Sequence, residues 1–405
     1  MDHDELASWL RLTLTPGVGN ATARRLLAAF GLPQAIFRQG LAALGEVVGP
    51  AMARTLLQEP PSWRAQLDLT WAWLRSTDDP HLTRRIVALG DAAYPQALLT
   101  MEDPPLMLYW LGAAGLQPNM ALAPDTSGPL APEFIAYSLA RSIAVVGSRG
   151  PTAQGAIHAR EFSRSLSAAG LTVVSGLALG VDGAAHEGAL EGLGSATDRL
   201  ATVAVIGTGL DRVYPRAHKA LARRIAKQGL IISEYPLGTP PLAANFPRRN
   251  RLIAGLTRGT LVIEAALQSG SLITARLASE MGREVFALPG SILSPQSRGC
   301  HALIKQGAKL VESVQDVLDE IQPDVASFFI ADSPQSKRAS GLIDQDLEHN
   351  PALLEALGHD PVGLDALQAR TGLDTASLQV QLLTLELEGQ VARLPGGLFQ
   401  RVASA

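Results

Sequence analysis

Between residues 143 and 287, short runs of apolar, mostly β-branched residues alternate with stretches of helical periodicity. The runs at 143–146, 171–175, 200–206, 229–233, 259–263 and 284–287 read as buried strands, because they are apolar without alternation. Amphipathic patterns near 153–169, 182–193, 216–228, 248–256 and 271–281 read as the helices between them. Such alternation predicts an α/β fold, a doubly wound and mostly parallel sheet of the extended Rossmann-like kind. Its ligand site should lie beyond the carboxyl ends of the strands. Several of those ends carry glycine or serine: Gly147-Ser148, Ser175-Gly176, Gly207-Thr-Gly209, Ser233, and Ser269-Gly270-Ser271 at a helix start.

The flanks follow other patterns. Residues 1–78 read as a helical domain in which Thr15-Pro-Gly-Val-Gly-Asn20 resembles the turn of a helix-hairpin-helix, the SAM-like arrangement. Leu44-Gly-Glu-Val-Val-Gly49 is a weaker second copy. Such a hairpin can offer backbone N–H groups to a DNA phosphate, or its glycines can simply supply positive φ in a tight turn. Strand-like runs at Ile86–Leu89 and Leu106–Leu111 open a sheet domain spanning 79–321, and Ala113–Glu133 reads as a surface insertion without chemistry. Residues 322–345 read as a linker. Residues 346–405 carry three short helical patterns and two strands around Gly396-Gly397, which predicts a winged helix.

Composition narrows the partners. A net charge of −4 excludes coating nucleic acid by bulk charge but leaves room for a local basic patch. The lone Cys300 excludes an internal disulfide framework and a cysteine zinc site, and suits a reduced, cytoplasmic protein. The acidic start Met1–Glu5 lacks the basic region of a signal peptide, and no apolar run approaches a membrane span. No metal or cofactor is expected. Gly147-Ser-Arg-Gly150 does not fit the dinucleotide fingerprint, Gly207-Thr-Gly-Leu-Asp-Arg212 lacks its third glycine, and no Gly-Lys dipeptide exists to form a Walker A loop. Asp182 and His186 share a helix face at i and i+4, but no further ligand accompanies them; a helix-capping acid and a hydrogen-bonded structural histidine is the expected reading.

Two stretches carry the candidate chemistry. In the first, a strand ends at Gly147, and Ser148, Arg149 and Thr152 lead into a helix, which aims N–H groups and a helix dipole at an anion. In the second, Asn245-Phe-Pro-Arg-Arg-Asn-Arg251 opens a helix with three arginines (Arg248, Arg249, Arg251), against the preference of the helix dipole for acids there. Arginines, backbone N–H groups and Phe246 as a stacking surface suit single-stranded nucleic acid held without sequence reading. Arg216, Lys219, Arg223, Arg224 and Lys227 on the preceding helix, from Tyr214 to Gln228, would widen the patch.

These motifs, in this order, resemble the DNA-processing protein A (DprA/Smf) family. The resemblance rests on Val145-Val-Gly-Ser-Arg149 with Pro151, Thr152 and Gly155, on Ser175–Ala178 with Gly180–His186, and on Gly207–Asp211 with Tyr214-Pro215. Ser233–Pro236, Phe246–Arg251, Glu264 with Ser269–Ser271, Ala287–Gly290, Tyr94-Pro95 and Asp103-Pro-Pro105 continue it. One departure is His301, where the family often has Asn. The resemblance implies a non-enzymatic homodimer that binds single-stranded DNA and helps load RecA recombinase during natural transformation. It implies DNA contact at Arg149 and across Phe246, Arg248, Arg249, Asn250 and Arg251. Ser148, Thr152, Gly207, Gly209, Ser269, Gly270 and Ser271 complete the expected rim. The alternative is a nucleoside-monophosphate phosphoribohydrolase using an acid such as Glu264; a duplex-reading transcription factor is a third class. The last segment argues against the third: from Gly341 onward nine acids face three arginines, and the recognition helix Thr375–Glu388 has no Lys or Arg. The DNA major groove would repel it, so a protein-contact role is expected there.

Overall fold

The computed structural model describes residues 1–113, 132–194, 196, 199–321, 351–358, 361–387, 390–394 and 398–401. The insertion at 114–131, the linker and the Gly396-Gly397 turn lie outside the described residues.

Nine strands form one sheet: β1 (Leu82–Ala88), β2 (Met107–Ala113), β3 (Ser142–Val146), β4 (Thr172–Ser175), β5 (Thr202–Val205), β6 (Leu230–Ser233), β7 (Gly259–Val262), β8 (Glu284–Ala287) and β9 (Lys309–Leu310). Their order is β1-β2-β6-β5-β4-β3-β7-β8-β9. From β6 to β9 every neighbour is parallel, whereas β1 and β2 join as antiparallel strands. The expected doubly wound sheet is therefore present, extended by an antiparallel pair at one edge. After β3 the chain builds outward through β4, β5 and β6, then crosses back to place β7 on the other side of β3. That reversal is a topological switch point, where the loops after β3 and β7 part and leave a crevice.

The strands are short and buried throughout β3 to β7, because helices cover both faces. On one face, Ile143, Val145, Val173 and Leu261 pack against Ala159, Leu166, Val181, Ala185 and Ala189, from the helices Ala153–Ala168 and Val181–Leu193. On the other, Val146, Val174 and Val203 meet Leu252, Ile253 and Leu256 from the helix Asn245–Leu256. That helix starts three residues earlier than its periodicity predicts, which puts Pro247 in the first turn, where a missing N–H leaves no hydrogen bond unmade.

The N-terminal domain is helical as expected, with helices His3–Leu14, Asn20–Phe30, Leu41–Val48, Pro50–Leu57 and Trp63–Leu74 around Leu6, Trp9, Leu10, Leu26 and Leu56. At the C-terminus the helices Pro351–Leu357, Leu364–Thr371 and Thr375–Leu387 enclose Leu357, Leu367, Leu378 and Leu382 beside a three-stranded sheet, the winged helix that the pattern predicts.

His186 is fully buried in the helix Val181–Leu193, where its Nδ1 meets the Thr202 hydroxyl at 2.7 Å. Thr202 gives its own proton to the Val173 carbonyl at 2.6 Å, so it accepts from His186, which is neutral. Burial first, then His218 and Arg249, pull the imidazole pKa down to about 3. The unfolded chain protonates His186 near pH 6.5 and the folded chain does not, so its contribution is present above pH 6.5 and is lost as pH falls toward 3. Urea titrations across this window should show stability falling with acidity by up to about 1.4 kcal/mol per pH unit from this one group. The slope should be shallower in His186→Gln; an unchanged slope would contradict the assignment.

Candidate nucleic-acid interface

The loops beyond the carboxyl ends of the strands are tied to one another by backbone. The Ser148 N–H donates to the Glu264 carbonyl at 2.7 Å, joining the loops after β3 and β7 at the switch point. The Ser148 carbonyl accepts from the Val181 N–H at 3.1 Å, bringing in the loop after β4. Gly180 makes this closure possible: its φ is +81°, and a Cβ there would run into the Ser148 and Arg149 backbone. The crevice left between these loops is an open groove of about 540 Å³. Ser148, Arg149, Phe246, Asn250, Ser269, Gly270 and Ser271 all line it, so the two candidate stretches, roughly 100 residues apart in sequence, meet here as expected.

One wall is the cation Arg149 and the ring of Phe246, which a second ring extends beyond the groove. Arg149 is exposed, with its guanidinium carbon 5.9 Å from the Phe246 centroid. Phe246 in turn lies 5.5 Å from the Tyr214 ring at an interplanar angle of 35°. This gives a graded surface, cation then aromatic then aromatic, with Tyr214 49% exposed at its far end. The opposite wall is the start of the helix Ser271–Glu280, where the Ser269 and Ser271 hydroxyls lie 2.7 Å apart. Asn250 spans toward that wall and donates to the Gly270 carbonyl at 3.3 Å. The site thus offers stacking faces and positive charge on one side, and hydroxyls with a positive helix end on the other.

The other expected contacts are placed differently. Arg249 reaches the groove floor but is only 4% exposed, and it points inward to the Val205 carbonyl. Burial lowers its pKa to about 10 and raises that of Asp182; each is partly offset by the other's charge. Asp182 also accepts from the Gly176 and Ala178 N–H groups at 3.2 and 3.3 Å. Arg251 turns to the far side of its helix, ion-pairs with Glu234 and donates to the Asp103 carbonyl at 2.6 Å. Thr152 caps its helix: its hydroxyl accepts from the Gly155 N–H at 3.0 Å and donates to Glu264 at 2.5 Å. The Gly209 N–H donates to the Thr239 carbonyl at 3.1 Å within a buried loop. Gly207 is a support: it lies under Phe246, where a Cβ would come within 3.1 Å of the ring, and its carbonyl accepts from the Asn245 amide at 3.0 Å.

Arg248 is exposed in a neighbouring cleft, which it shares with Glu234, Arg251 and the hairpin residues Val18, Gly19 and Asn20. The Asn20 side chain itself donates to Asp103 at 3.1 Å, so the hairpin is tied to its own chain at that point. His301 meets the Gly290 carbonyl through Nε2 at 2.9 Å. Lys219, Arg223 and Lys227 line a separate cavity and are absent from the groove wall. Sequence reading did not single out Tyr214 as a ring or Asn245 as the anchor beneath Phe246. An aromatic beside the cis Tyr214-Pro215 bond gives no periodic signal of its role.

Glu264 bears on the enzyme alternative. Both of its carboxylate oxygens are engaged by Thr152, through the backbone N–H at 2.9 Å and the hydroxyl at 2.5 Å. Its charge sits at a helix N-terminus, a stabilising structural place for an acid. Among the described residues, no helix is long and apolar enough to cross a membrane.

Residues 135–322 match the family model described as DNA recombination-mediator protein A, and residues 338–397 match the DprA winged helix domain. Protein Smf of Escherichia coli is 40% identical over 316 residues, covering 78% of this chain and 82% of that protein. Protein Smf of Synechocystis is 33% identical over 99% of this chain and 100% of its own length. The X-ray structure of DNA processing protein A from Streptococcus pneumoniae superposes with a TM-score of 0.59 at 35% identity, covering 79% of this chain and 98% of that one. Sheet, winged helix and near full-length similarity converge, and the chain belongs to the DprA/Smf family of DNA recombination-mediator proteins.

Proposed function

We propose that the groove at the β3–β7 switch point holds single-stranded DNA without reading its sequence, and that the protein hands the strand to RecA recombinase. In this reading it works as a homodimer in the cytoplasm during natural transformation and recombination, and has no catalytic role. The observation that supports it most is the row of exposed Arg149, half-buried Phe246 and exposed Tyr214. Every base has a π-face, so stacking on such rings is tolerant of sequence. The engagement of Glu264 as a helix cap weighs against hydrolysis of nucleoside monophosphates.

A fluorescence-anisotropy titration with single-stranded DNA, the same sequence as duplex, and AMP tests the proposal. Preference for the single strand is expected, with log K falling against log salt at a slope of about −0.7 per neutralised phosphate, roughly −1.4 for the two exposed cations Arg149 and Arg248. Release of base from AMP, or equal affinity for duplex, would overturn it. A chain ending at Ser340 should bind the single strand within about tenfold of the full chain, ~1.4 kcal/mol. A larger loss would assign the acidic winged helix a direct part in DNA binding.

A further inference from the structure

We infer that a second cavity, on the flank of the sheet away from the DNA groove, is a docking site for an acidic peptide carrying apolar side chains. This goes beyond the DNA-binding proposal and does not depend on it. The cavity measures about 490 Å³ and opens between β2, β6 and the helix Lys219–Gln228. Its floor is apolar: Leu82, Leu111, Ile206 and Ile231, with Ala222 and Ala226 of the helix. The two linings share no residue, although Leu177 and Val213 of the cavity adjoin Ala178 of the groove and Tyr214 in sequence.

The rim decides the occupant. Lys219, Arg223 and Lys227 follow one another at i, i+4 and i+8, so they form a single stripe of cations along the cavity edge. The helix Lys219–Gln228 holds no acid to answer them. Like charges at this spacing destabilise a helix by a few tenths of a kcal/mol per pair. All three are exposed, and among the described residues none has a carboxylate ion-pair partner within the structure. Arg224, off the stripe, instead lies within electrostatic reach of Glu191. Arg212 adds a fourth cation next to Asp211, against the single acid Asp79 on the lining.

Geometry favours an extended peptide over nucleic acid. The stripe repeats about every 6 Å along the helix. Alternate residues of an extended chain repeat about every 7 Å and point to one side, with the intervening residues pointing to the other. A peptide of alternating acidic and apolar residues would therefore set carboxylates along Lys219, Arg223 and Lys227 while its apolar side chains enter the cavity. A nucleic-acid backbone would satisfy the stripe but leave the apolar floor without a partner. The lining offers no aromatic ring on which a base could stack.

The test uses the full chain and a fluorescein-labelled octapeptide of alternating Asp and Leu. Binding is expected, and Arg223→Glu with Lys227→Glu should weaken it about tenfold or more, since two attractive exposed pairs become repulsive. Leu82→Asp, which places an acid at the cavity floor, should weaken it as well through a different element. Both variants should keep the parent's circular-dichroism spectrum and melting midpoint, which reports that they are folded. A peptide of alternating Asp and Ser should bind at least about tenfold more weakly than the Leu peptide, from the apolar area it cannot bury. Three results would overturn the inference: equal binding of the Ser peptide, no response to the charge reversal, or displacement of the peptide by a short oligothymidylate. The last would make this surface part of the DNA path.

Discussion

Phe246→Ala should weaken binding of single-stranded DNA by roughly 5- to 150-fold, the loss of one stacked base at about 1–3 kcal/mol. The ring is the centre of the row that Arg149 begins and Tyr214 ends, and it rests over Gly207, where an added Cβ would come within 3.1 Å of it. Arg149→Ala should also lose affinity, but the two losses should not add. The guanidinium lies 5.9 Å from the Phe246 centroid, so each residue helps to place the other. A double-mutant cycle should therefore return a coupling of at least about 0.5 kcal/mol. Additive losses would mean that the cation and the ring act at separate points on the strand. Arg251→Ala is the contrasting variant: its partners Glu234 and Asp103 lie on the far side of the helix, and the salt dependence of binding should stay as in the parent.

Arg249→Ala should be the most destabilising single change at the site, by about 3–5 kcal/mol, because it empties a buried volume, removes the bond to the Val205 carbonyl and takes away a positive charge that eases the burial of Asp182. The guanidinium fills the space above Gly176 and donates to the end of β5, so its loss also loosens the start of the helix that carries Phe246. Thermal melts of Arg249→Ala and of Arg249→Met with Asp182→Asn separate these effects. The double variant keeps the volume and removes the buried acid, and should recover a large part of the stability. No recovery would show that hydrogen bonding to Val205, rather than charge balance, is what Arg249 supplies.

The fold was legible because its strands are continuous apolar runs and its helices periodic, and both survive without knowledge of tertiary contacts. The antiparallel edge pair was not, since Ile86–Leu89 and Leu106–Leu111 reveal their strand character but not which neighbour they join. The groove was legible as a meeting of loops after β3 and on the arginine-rich helix. The direction of each arginine was not. Residues 248 to 251 are consecutive on a helix, so each turns by about 100° from the last. One run of charge thus splits between a neighbouring cleft (Arg248), the interior (Arg249), the groove (Asn250) and a brace to Glu234 (Arg251). Sequence reading treated the run as one patch. Thr152 and Gly209 follow strand ends as rim residues do, yet the polar groups of each are engaged by the chain itself.

The central claim is that a strand lies along Arg149, Phe246 and Tyr214. Photo-cross-linking tests it most directly, using single-stranded oligonucleotides with 5-bromodeoxyuridine at successive positions, followed by mass spectrometry of the tryptic peptides. Adducts are expected on Phe246 or Tyr214, reduced by Arg149→Ala. Adducts confined to the hairpin at residues 15–20 or to the winged helix, with none on the groove wall, would contradict it.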